Sequence, residues 1–401
     1  MLIDSQGLQD CPGYSLAGVS CDIRNKGNDR LDLALLRSDH PCQVAGVFTR
    51  HALPAAPVVL GREICARGRP VRGLVANSGN ANACTGADGL ADAREMQAAA
   101  AAALGVAPEE VFVCSTGRIG ERLPMEKIKT GLVEGAGRLA ATPEESIRAA
   151  EAILTSDTRR KVATARFTVG EQTVTVAGMA KGAGMIEPNM ATMLAFLVTD
   201  AVAGQDLLAA VLKSSVQGSF NAVTVDGDRS TNDTVLLFAN DASGVDVSKG
   251  EAAALFARAV NLVCGDLADK IVGDGEKITK VVEILLTGAV SSAEAEKAAR
   301  AIGNSLLVKS SWYGNDPNWG RVADAVGYSG AMVTEASLKI YYGEVPAFLG
   351  GHPQWDRRAE WKAIVARPRF TLRVDLGQGE ASYRLLASDL TEGYVHFNKS
   401  E

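Results

Sequence analysis

Aromatic side chains, histidines and paired cysteines are scarce in this sequence. Only 5% of its 401 residues are aromatic, and four are histidine. The seven cysteines form no Cys-x-x-Cys pair, which argues against a zinc site and a disulfide framework, so we expect reduced thiols. No His-Glu-x-x-His, Walker A or Gly-x-Ser-x-Gly motif occurs. We therefore expect any catalysis to proceed without a metal ion or a histidine base.

Charge and hydropathy exclude two further classes of protein. Lys and Arg total 41 against 47 Asp and Glu, so there is no basic excess for binding nucleic acid. No uninterrupted apolar run approaches the roughly 18 residues that a membrane-spanning helix needs. The first residues lack a basic stretch followed by an apolar one, so we expect no secretory signal and a cytoplasmic location.

Hydrophobic periodicity predicts helices and strands that interleave without a regular βαβ repeat. Thr142, Pro143 and Glu145 fit the cap, first position and capping box of one helix. Other helices are expected at 90–104, 207–217, 250–271 and 293–302, and strands at 161–178 (a hairpin), 193–198, 222–225, 234–239, 280–286, 337–342, 369–375 and 382–387. We therefore predict an α/β fold, a layered αββα-type sandwich of mixed sheets with a smaller C-terminal α/β subdomain, roughly residues 280–401.

Six segments rich in Gly, Asn, Asp, Ser and Thr lie beside apolar strands. Each by itself is expected to be a turn, because these residues favour turns. Six together favour a binding site, since small polar groups on loops of a rigid scaffold commonly form one. The segments are 77–86, 114–117, 180–194, 226–234, 273–276 and 314–320.

The segment Cys114–Gly117 follows the apolar residues 111–113 and precedes a helix expected near Pro124. A Thr-Gly corner there could aim a hydroxyl and a backbone N–H at one point, as an oxyanion hole requires. An ordinary strand-to-helix turn has the same residues, so the pattern leaves both interpretations open.

Thr192 lies between a glycine-rich segment and an apolar strand. A threonine hydroxyl is a poor nucleophile without a base, and no Ser-His-Asp arrangement is evident. Breaking the chain before the threonine would free its α-amine to act as that base. Pattern alone, however, favours an ordinary β-branched strand residue here.

The segment Ala180–Leu194 resembles the self-cleavage segment of the ornithine acetyltransferases, also called glutamate N-acetyltransferases. These are often the bifunctional enzymes of the cyclic arginine pathway. Further matches follow in the family's order along nearly the whole chain, at 45–49, 77–86, 115–117, 155–158, 224–228, 230–234, 316–321 and 389–392. This ordered set is highly specific, and it reverses the interpretation of Thr192.

The resemblance implies self-cleavage between Ala191 and Thr192. The products would be an α chain of residues 1–191 and a β chain of residues 192–401, intertwined in one fold and usually paired as an α2β2 assembly. Thr192 would then be the N-terminal nucleophile that moves the acetyl group of N2-acetylornithine to glutamate by a ping-pong mechanism. The resemblance implies no cofactor, and it leaves open whether acetyl-CoA serves as a second acetyl donor.

Site residues also follow from the resemblance. Thr116 and Gly117 match the family's oxyanion hole. Matches to substrate-contacting positions are Thr155, Lys181, Thr192, Glu276 and Asn398. By charge complementarity, we expect Lys181 to bind the substrate carboxylate and Glu276 the side-chain ammonium.

A few residues near the expected pocket depart from the family pattern. Lys277-Ile278 stands where the family usually has Gly-Ala, and Arg229 replaces a common small residue. Ser305 lacks the usual following proline, and the family usually runs further past the match to Asn398, to a final Ser or Thr contact. A shifted substrate, as in secondary-metabolite members, stays open.

Two alternative functions also stay open. An aminopeptidase or amidohydrolase on the same scaffold would pass the acyl group to water. A paralogue that does not cleave itself would only bind an amino acid.

Overall fold

The computed structural model describes residues 1–3, 7–187 and 193–399, with Ile3 described by its backbone alone. The described chain divides into two compact units. The first contains Met1–Gly182, 193–221 and Arg229–Ile271, and the second contains Ala183–Glu187, Ala222–Asp228 and 272–399.

The strands alternate irregularly with the helices along the chain. The strands are β1 (Leu2–Ile3), β2 (Tyr14–Val19), β3 (Leu33–Phe48), β4 (Val71–Asn80), β5 (Val111–Arg118), β6 (Lys161–Val169), β7 (Gln172–Lys181), β8 (Leu194–Thr199), β9 (Val223–Thr224), β10 (Thr234–Ala239), β11 (Val281–Ala289), β12 (Lys339–Tyr342), β13 (Val345–Leu349), β14 (His352–Pro353), β15 (Arg369–Asp375) and β16 (Ala381–Ser388). The helices are α1 (Ala56–Arg67), α2 (Gly86–Leu104), α3 (Met125–Arg138), α4 (Pro143–Ala152), α5 (Gln205–Gln217), α6 (Gly250–Val272), α7 (Ser292–Asn304), α8 (Leu306–Tyr313), α9 (Trp319–Tyr328), α10 (Arg358–Val365) and α11 (Glu392–Asn398).

Helix ends follow the local chemistry of the sequence. Gly105, at a φ of 68°, ends α2 in the left-handed conformation that glycine adopts without strain. Thr142 caps α4 by accepting a hydrogen bond from the Glu145 N–H at 3.3 Å. The expected capping box is only half right, because the Glu145 carboxylate accepts from Arg138 Nη2 at 2.5 Å instead of returning to the cap.

Strand β3 connects two sheets of the first unit. The hydrogen-bonded order is β1-β6-β7-β8-β10-β3-β4-β5, and β2 pairs with β3 outside this path. The β4–β5 and β8–β10 pairs are parallel and the others antiparallel. A register shift between Arg37 and Cys42 separates the half of β3 that pairs with β2 and β4 from the half that pairs with β10. The bent strand therefore belongs to both sheets.

The two sheets of this unit face each other across one apolar core. The rings of Phe112 in β5 and Phe238 in β10 meet edge to face, with centroids 6.0 Å apart. On the outer faces, Leu104 of α2 lies over Gly73 of β4, and Leu267 of α6 lies over Gly178 of β7. The predicted αββα sandwich of mixed sheets is confirmed.

The second unit contains a seven-stranded mixed sheet in the order β14-β13-β12-β15-β11-β16-β9. Helix α7 packs against β11 and β16. The side chains of Trp312 and Trp361 are almost completely buried in the core of this unit. This unit contains most of the predicted C-terminal subdomain, roughly 280–401, together with the earlier segments Ala183–Glu187 and Ala222–Asp228. In the part of the chain that the structure describes, no helix is long and apolar enough to span a bilayer.

Gly18 of β2 offers a test of the packing. A Cβ at Gly18 would lie 2.3 Å from the Arg148 carbonyl group of α4, so we expect Gly18→Ala to lower the free energy of unfolding by about 1–3 kcal/mol. Gly137 of α3 is exposed and has no atom within 4 Å of its would-be Cβ, so Gly137→Ala should be neutral or stabilising by up to about 1 kcal/mol. Urea unfolding measures both. Equal midpoints for the two variants would contradict the close approach of β2 and α4.

Candidate active site

The Ser115-Thr116-Gly117 stretch continues β5. Thr116 pairs with Ser78 and Gly117 with Gly79 of β4. Gly117 has a φ of 137°, and a Cβ on it would lie 2.2 Å from the Gly79 carbonyl carbon, so this position requires glycine. The expected turn at this segment is wrong, because backbone pairing with β4 extends the strand to Arg118. The helix expected nearby is present as α3.

Amide side chains hold the ends of β4 and β5 together. Asn77 Oδ1 accepts from the Ser115 hydroxyl at 2.6 Å, and Asn77 Nδ2 donates to the Asn80 carbonyl at 2.9 Å. Asn232 donates to the carbonyls of Ala81 and Ser115 at 2.6 and 2.8 Å. The residues that suggest turns in the sequence thus pair with buried backbone groups, which would otherwise be costly.

Lys181, the last residue of β7, points its ammonium at Thr116. Its Nζ donates to Thr116 Oγ1 at 3.3 Å, and both side chains are buried. Because an ammonium can only donate, the Thr116 oxygen is the acceptor, and its own O–H proton can go to another acceptor. The structure therefore brings together two predicted site residues, beside Gly117.

Asp157 joins Thr155 to the end of β7. Its Oδ1 accepts from Lys161 Nζ at 2.6 Å and from the Gly182 N–H at 2.7 Å, and its Oδ2 accepts from the Thr155 N–H at 3.0 Å. Burial raises the pKa of Asp157, but the positive charges of Lys181 and Lys161 and these hydrogen bonds outweigh it, and the pKa is lowered to about 2. Asp157 is therefore ionised at neutral pH.

Sequence reasoning missed individual roles for Asp157 and Lys161. Both side chains are fully buried in their ion pair. The available signal was their spacing of four residues at the start of an apolar strand. A buried charge needs a partner of opposite sign, and that requirement links the two residues.

Asp233 is another buried carboxyl in the first unit, directly before β10. Burial raises its pKa well above the usual range, and Lys181 and several hydrogen bonds offset this only in part. The next residue, Thr234, donates its N–H to the Met193 carbonyl at 3.1 Å. This contact fixes the start of β8. Ala191 and Thr192, the expected cleavage site, lie outside the described residues.

Glu276 and Asn398 meet in the second unit. Asn398 Nδ2, at the end of α11, donates to Glu276 Oε2 at 2.9 Å. Lys277, at the position where the resemblance leads us to expect glycine, has a φ of 56°, in the region that favours glycine. Its ammonium lies 5.1 Å from the centre of the Phe397 ring. The predicted site residues thus fall into two groups, Thr116, Gly117, Lys181 and Thr155 in the first unit and Glu276 and Asn398 in the second.

Metal ligands do not cluster in the part of the chain that is described. No group of three or more His, Cys, Asp or Glu side chains there could hold a metal ion. All seven cysteines are free thiols.

The Asp157 carboxylate predicts acid sensitivity. Its folded-state pKa of about 2 lies below the value of 3.8 for an unperturbed carboxyl, so its stabilisation is complete above the unfolded-state pKa and is lost as pH falls through the folded one. We expect a loss of about 2 kcal/mol by pH 2. Asp157→Asn should cost about 3–5 kcal/mol at neutral pH, because it removes the negative charge beside the buried Lys161 ammonium, and should lack this acid-dependent loss.

Urea unfolding at several pH values measures this difference. The exposed Asp29→Asn variant is the control, since it removes the same charge without a buried partner. A pH dependence of Asp157→Asn that parallels the wild type would contradict the assignment.

Comparison with known proteins assigns the family. The ArgJ family model matches residues 15–400. The arginine biosynthesis bifunctional protein ArgJ of Symbiobacterium thermophilum is 44% identical over 396 residues, covering 98% of each chain. Its counterpart from Geobacter sulfurreducens is 45% identical over 389 residues, covering 96% of this chain and 98% of the relative.

A solved structure of ornithine acetyltransferase complexed with ornithine, from Mycobacterium tuberculosis, is 40% identical to this chain. The match covers 47% of this chain and 98% of the solved chain, and the TM-score is 0.43. The family match over nearly the whole length, and full-length relatives at more than 40% identity, lead to one conclusion: this chain belongs to the ArgJ family.

Proposed function

We propose that this chain is an acetyltransferase of arginine biosynthesis, which moves the acetyl group of N2-acetylornithine to glutamate through an acyl-enzyme on Thr192. The observation that carries the proposal is the buried contact between Lys181 and Thr116 beside Gly117, in a chain of the ArgJ family. The names of its relatives, arginine biosynthesis bifunctional protein and ornithine acetyltransferase, support the same reaction.

Self-cleavage prepares the nucleophile. The Thr192 hydroxyl attacks the Ala191 carbonyl, the peptide C–N bond breaks, and an ester links the two residues. Water then hydrolyses the ester and leaves a carboxylate on Ala191 and a free α-amine and hydroxyl on Thr192. The amine supplies the base that the chain otherwise lacks.

Acetyl transfer follows in two half-reactions. The Thr192 α-amine takes the hydroxyl proton as Oγ attacks the acetyl carbonyl, and ornithine leaves with that proton. The α-amine of glutamate then attacks the acetyl-threonine ester, so that N-acetylglutamate departs and the hydroxyl is restored. Both steps pass through a tetrahedral oxyanion.

Thr116 and Gly117 are suited to bind that oxyanion. Lys181 occupies an acceptor position of the Thr116 oxygen at 3.3 Å, which leaves the O–H proton able to donate to the substrate. The buried ammonium also adds a positive charge beside the developing negative one, where low polarity strengthens its effect. We also propose that Lys181 binds the substrate carboxylate, by charge complementarity.

Glu276 and Asn398 form the part of the proposed site that binds a positively charged group. Asn398 binds Oε2 of Glu276, so that Oε1 is able to accept from the side-chain ammonium of acetylornithine. Thr155, anchored on Asp157, is the remaining substrate contact of this proposal.

The two fragments would stay together after cleavage. Strand β7 of the amino-terminal fragment pairs with β8 of the carboxy-terminal one, and β3 pairs with β10. These ladders support an intertwined αβ pair, and we propose the α2β2 assembly of the family. We also propose a cytoplasmic enzyme that requires no cofactor and that accepts acetyl-CoA as a second acetyl donor, in keeping with the bifunctional name of its relatives.

Removing the nucleophile tests self-cleavage. We expect Thr192→Ala to give one full-length band on a denaturing gel and no acetyl transfer. Thr168→Ala, at an exposed position of β6, should still give two bands. N-terminal sequencing of the wild-type carboxy-terminal fragment should begin Thr-Met-Leu. One full-length band for the wild type after prolonged incubation would overturn the mechanism.

Removing the oxyanion donor tests catalysis. Thr116→Val keeps the shape but loses the hydroxyl, so kcat per cleaved enzyme should fall about 100- to 1,000-fold. The assay follows N-acetylglutamate and free acetate from acetylornithine. Acetate as the main product at saturating glutamate would favour the amidohydrolase instead, and a separate assay with acetyl-CoA and glutamate tests the second donor.

A further inference from the structure

Residues Ala183–Glu187 belong to the second unit, although they precede the proposed cleavage site. We call them the tail, because cleavage would leave them near the carboxyl end of the amino-terminal fragment. The Ala183 carbonyl accepts from the Glu276 N–H at 3.0 Å, and the Ile186 carbonyl accepts from the Val225 N–H at 2.7 Å. The tail is thus bound to backbone of the other fragment.

Two carboxylates anchor the tail further. Asp226 accepts from the N–H groups of Met185 and Ile186 at 2.6 and 2.8 Å. The buried carboxylate of Glu187 forms an ion pair with the partly buried Arg300 of α7 at 2.8 Å. Because Asp226 and Arg300 both follow Thr192 in the chain, cleavage leaves these contacts between the two fragments.

Gly184 lies against the carboxylate of Glu276. A Cβ on Gly184 would lie 2.3 Å from Oε1 and 2.6 Å from Oε2. The Gly184 φ lies outside the left-handed region, so its backbone accepts other residues. The three atoms nearest to such a Cβ all belong to the flexible end of Glu276, which would have to move.

We propose that Gly184 is a specificity-determining residue for the side-chain ammonium of the substrate. Because Gly184 has no side chain, the Glu276 carboxylate can occupy the adjacent space, where it accepts a hydrogen bond from Asn398. Since Gly184 lies in the tail, the amino-terminal fragment completes an ammonium subsite whose charged group comes from the carboxy-terminal fragment. This inference rests on the proposed function and on the role of Glu276 within it.

A pair of acetyl donors that differ in the ammonium alone tests this inference. N2-acetylnorvaline has the same carbon chain as N2-acetylornithine but lacks the terminal amine. The preference is the ratio of kcat/KM for acetylornithine to that for acetylnorvaline, measured on cleaved enzyme. We expect Gly184→Ala to lower this preference about tenfold or more, mainly through the KM of acetylornithine.

Three further variants separate positioning from a structural effect. Gly327→Ala, in α9 with no atom within 4 Å of its would-be Cβ, should keep the wild-type preference. Glu276→Gln should lose it. In the Glu276→Gln background, Gly184→Ala should change the preference no further, because the charge that it displaces is already absent. Cleavage and the kcat/KM for acetylnorvaline should stay within about twofold in Gly184→Ala.

The outcomes distinguish this inference from the proposed function. If Glu276→Gln lowers the preference and Gly184→Ala does not, the role of Gly184 is wrong and the proposed function stands. If neither variant changes a clear wild-type preference, the role of Glu276 fails, and the inference fails with it. A wild-type enzyme that transfers no acetyl group from either donor would overturn the proposed function itself.

Discussion

The ionic contacts of the buried Asp157 carboxylate are the interactions on which the buried lysines of the first unit depend. Lys161 and Lys181 both enter the protein interior at the ends of adjacent strands, β6 and β7. A buried ammonium is costly unless a negative charge lies near it. Asp157 supplies that charge to both lysines and also accepts the N–H of Gly182. The charge of Asp157 thereby offsets part of the cost of burying the Lys181 ammonium beside Thr116.

Close backbone contact is the second constraint. The β4–β5 pairing continues past the point where polar residues begin. It leaves no room for a side chain at position 117, because a Cβ there would lie 2.2 Å from the Gly79 carbonyl carbon. Near the ends of these strands, Asn77 accepts a hydrogen bond from the Ser115 hydroxyl, and Asn232 donates to two buried carbonyls. A hydroxyl and a glycine N–H are thereby held at the end of a strand pair, and in the proposed mechanism these two groups bind the oxyanion.

The second unit includes a segment from earlier in the chain, Ala183–Glu187, which is held by hydrogen bonds and an ion pair. The loop after β9 supplies Asp226 and helix α7 supplies Arg300, and Ala183–Glu187 supplies the groups that these two bind. The proposed cleavage would turn a covalent neighbour into a bound tail, held by contacts that are already formed. In the proposed subsite, Gly184 matters because it has no side chain. The Glu276 carboxylate occupies the space that a side chain at this position would fill.

Periodicity and capping residues were sufficient to predict the main elements of the fold. The regions of α2, α4–α7 and of most strands from β6 onward follow from hydrophobic spacing, from Thr142 and from Gly105, because these signals act within a few residues. The ordered motifs were likewise sufficient to predict the family, and the family match confirms it. The same local rules failed at 114–117, where pairing with β4 overrides turn preference.

Tertiary structure alone decided which of the marked residues meet. Lys181 reaches Thr116 across 65 residues of sequence, and Asn398 reaches Glu276 across 122. Nothing in the spacing around Asp157 indicates that the N–H of Gly182, just after β7, donates to its carboxylate. Such pairs follow from strand register and from the need of buried charges for partners, and both are set only when distant segments pack together. The sequence by itself determined which hydroxyls, amides and charged groups are present. The packing of distant segments determined which of these groups contact one another.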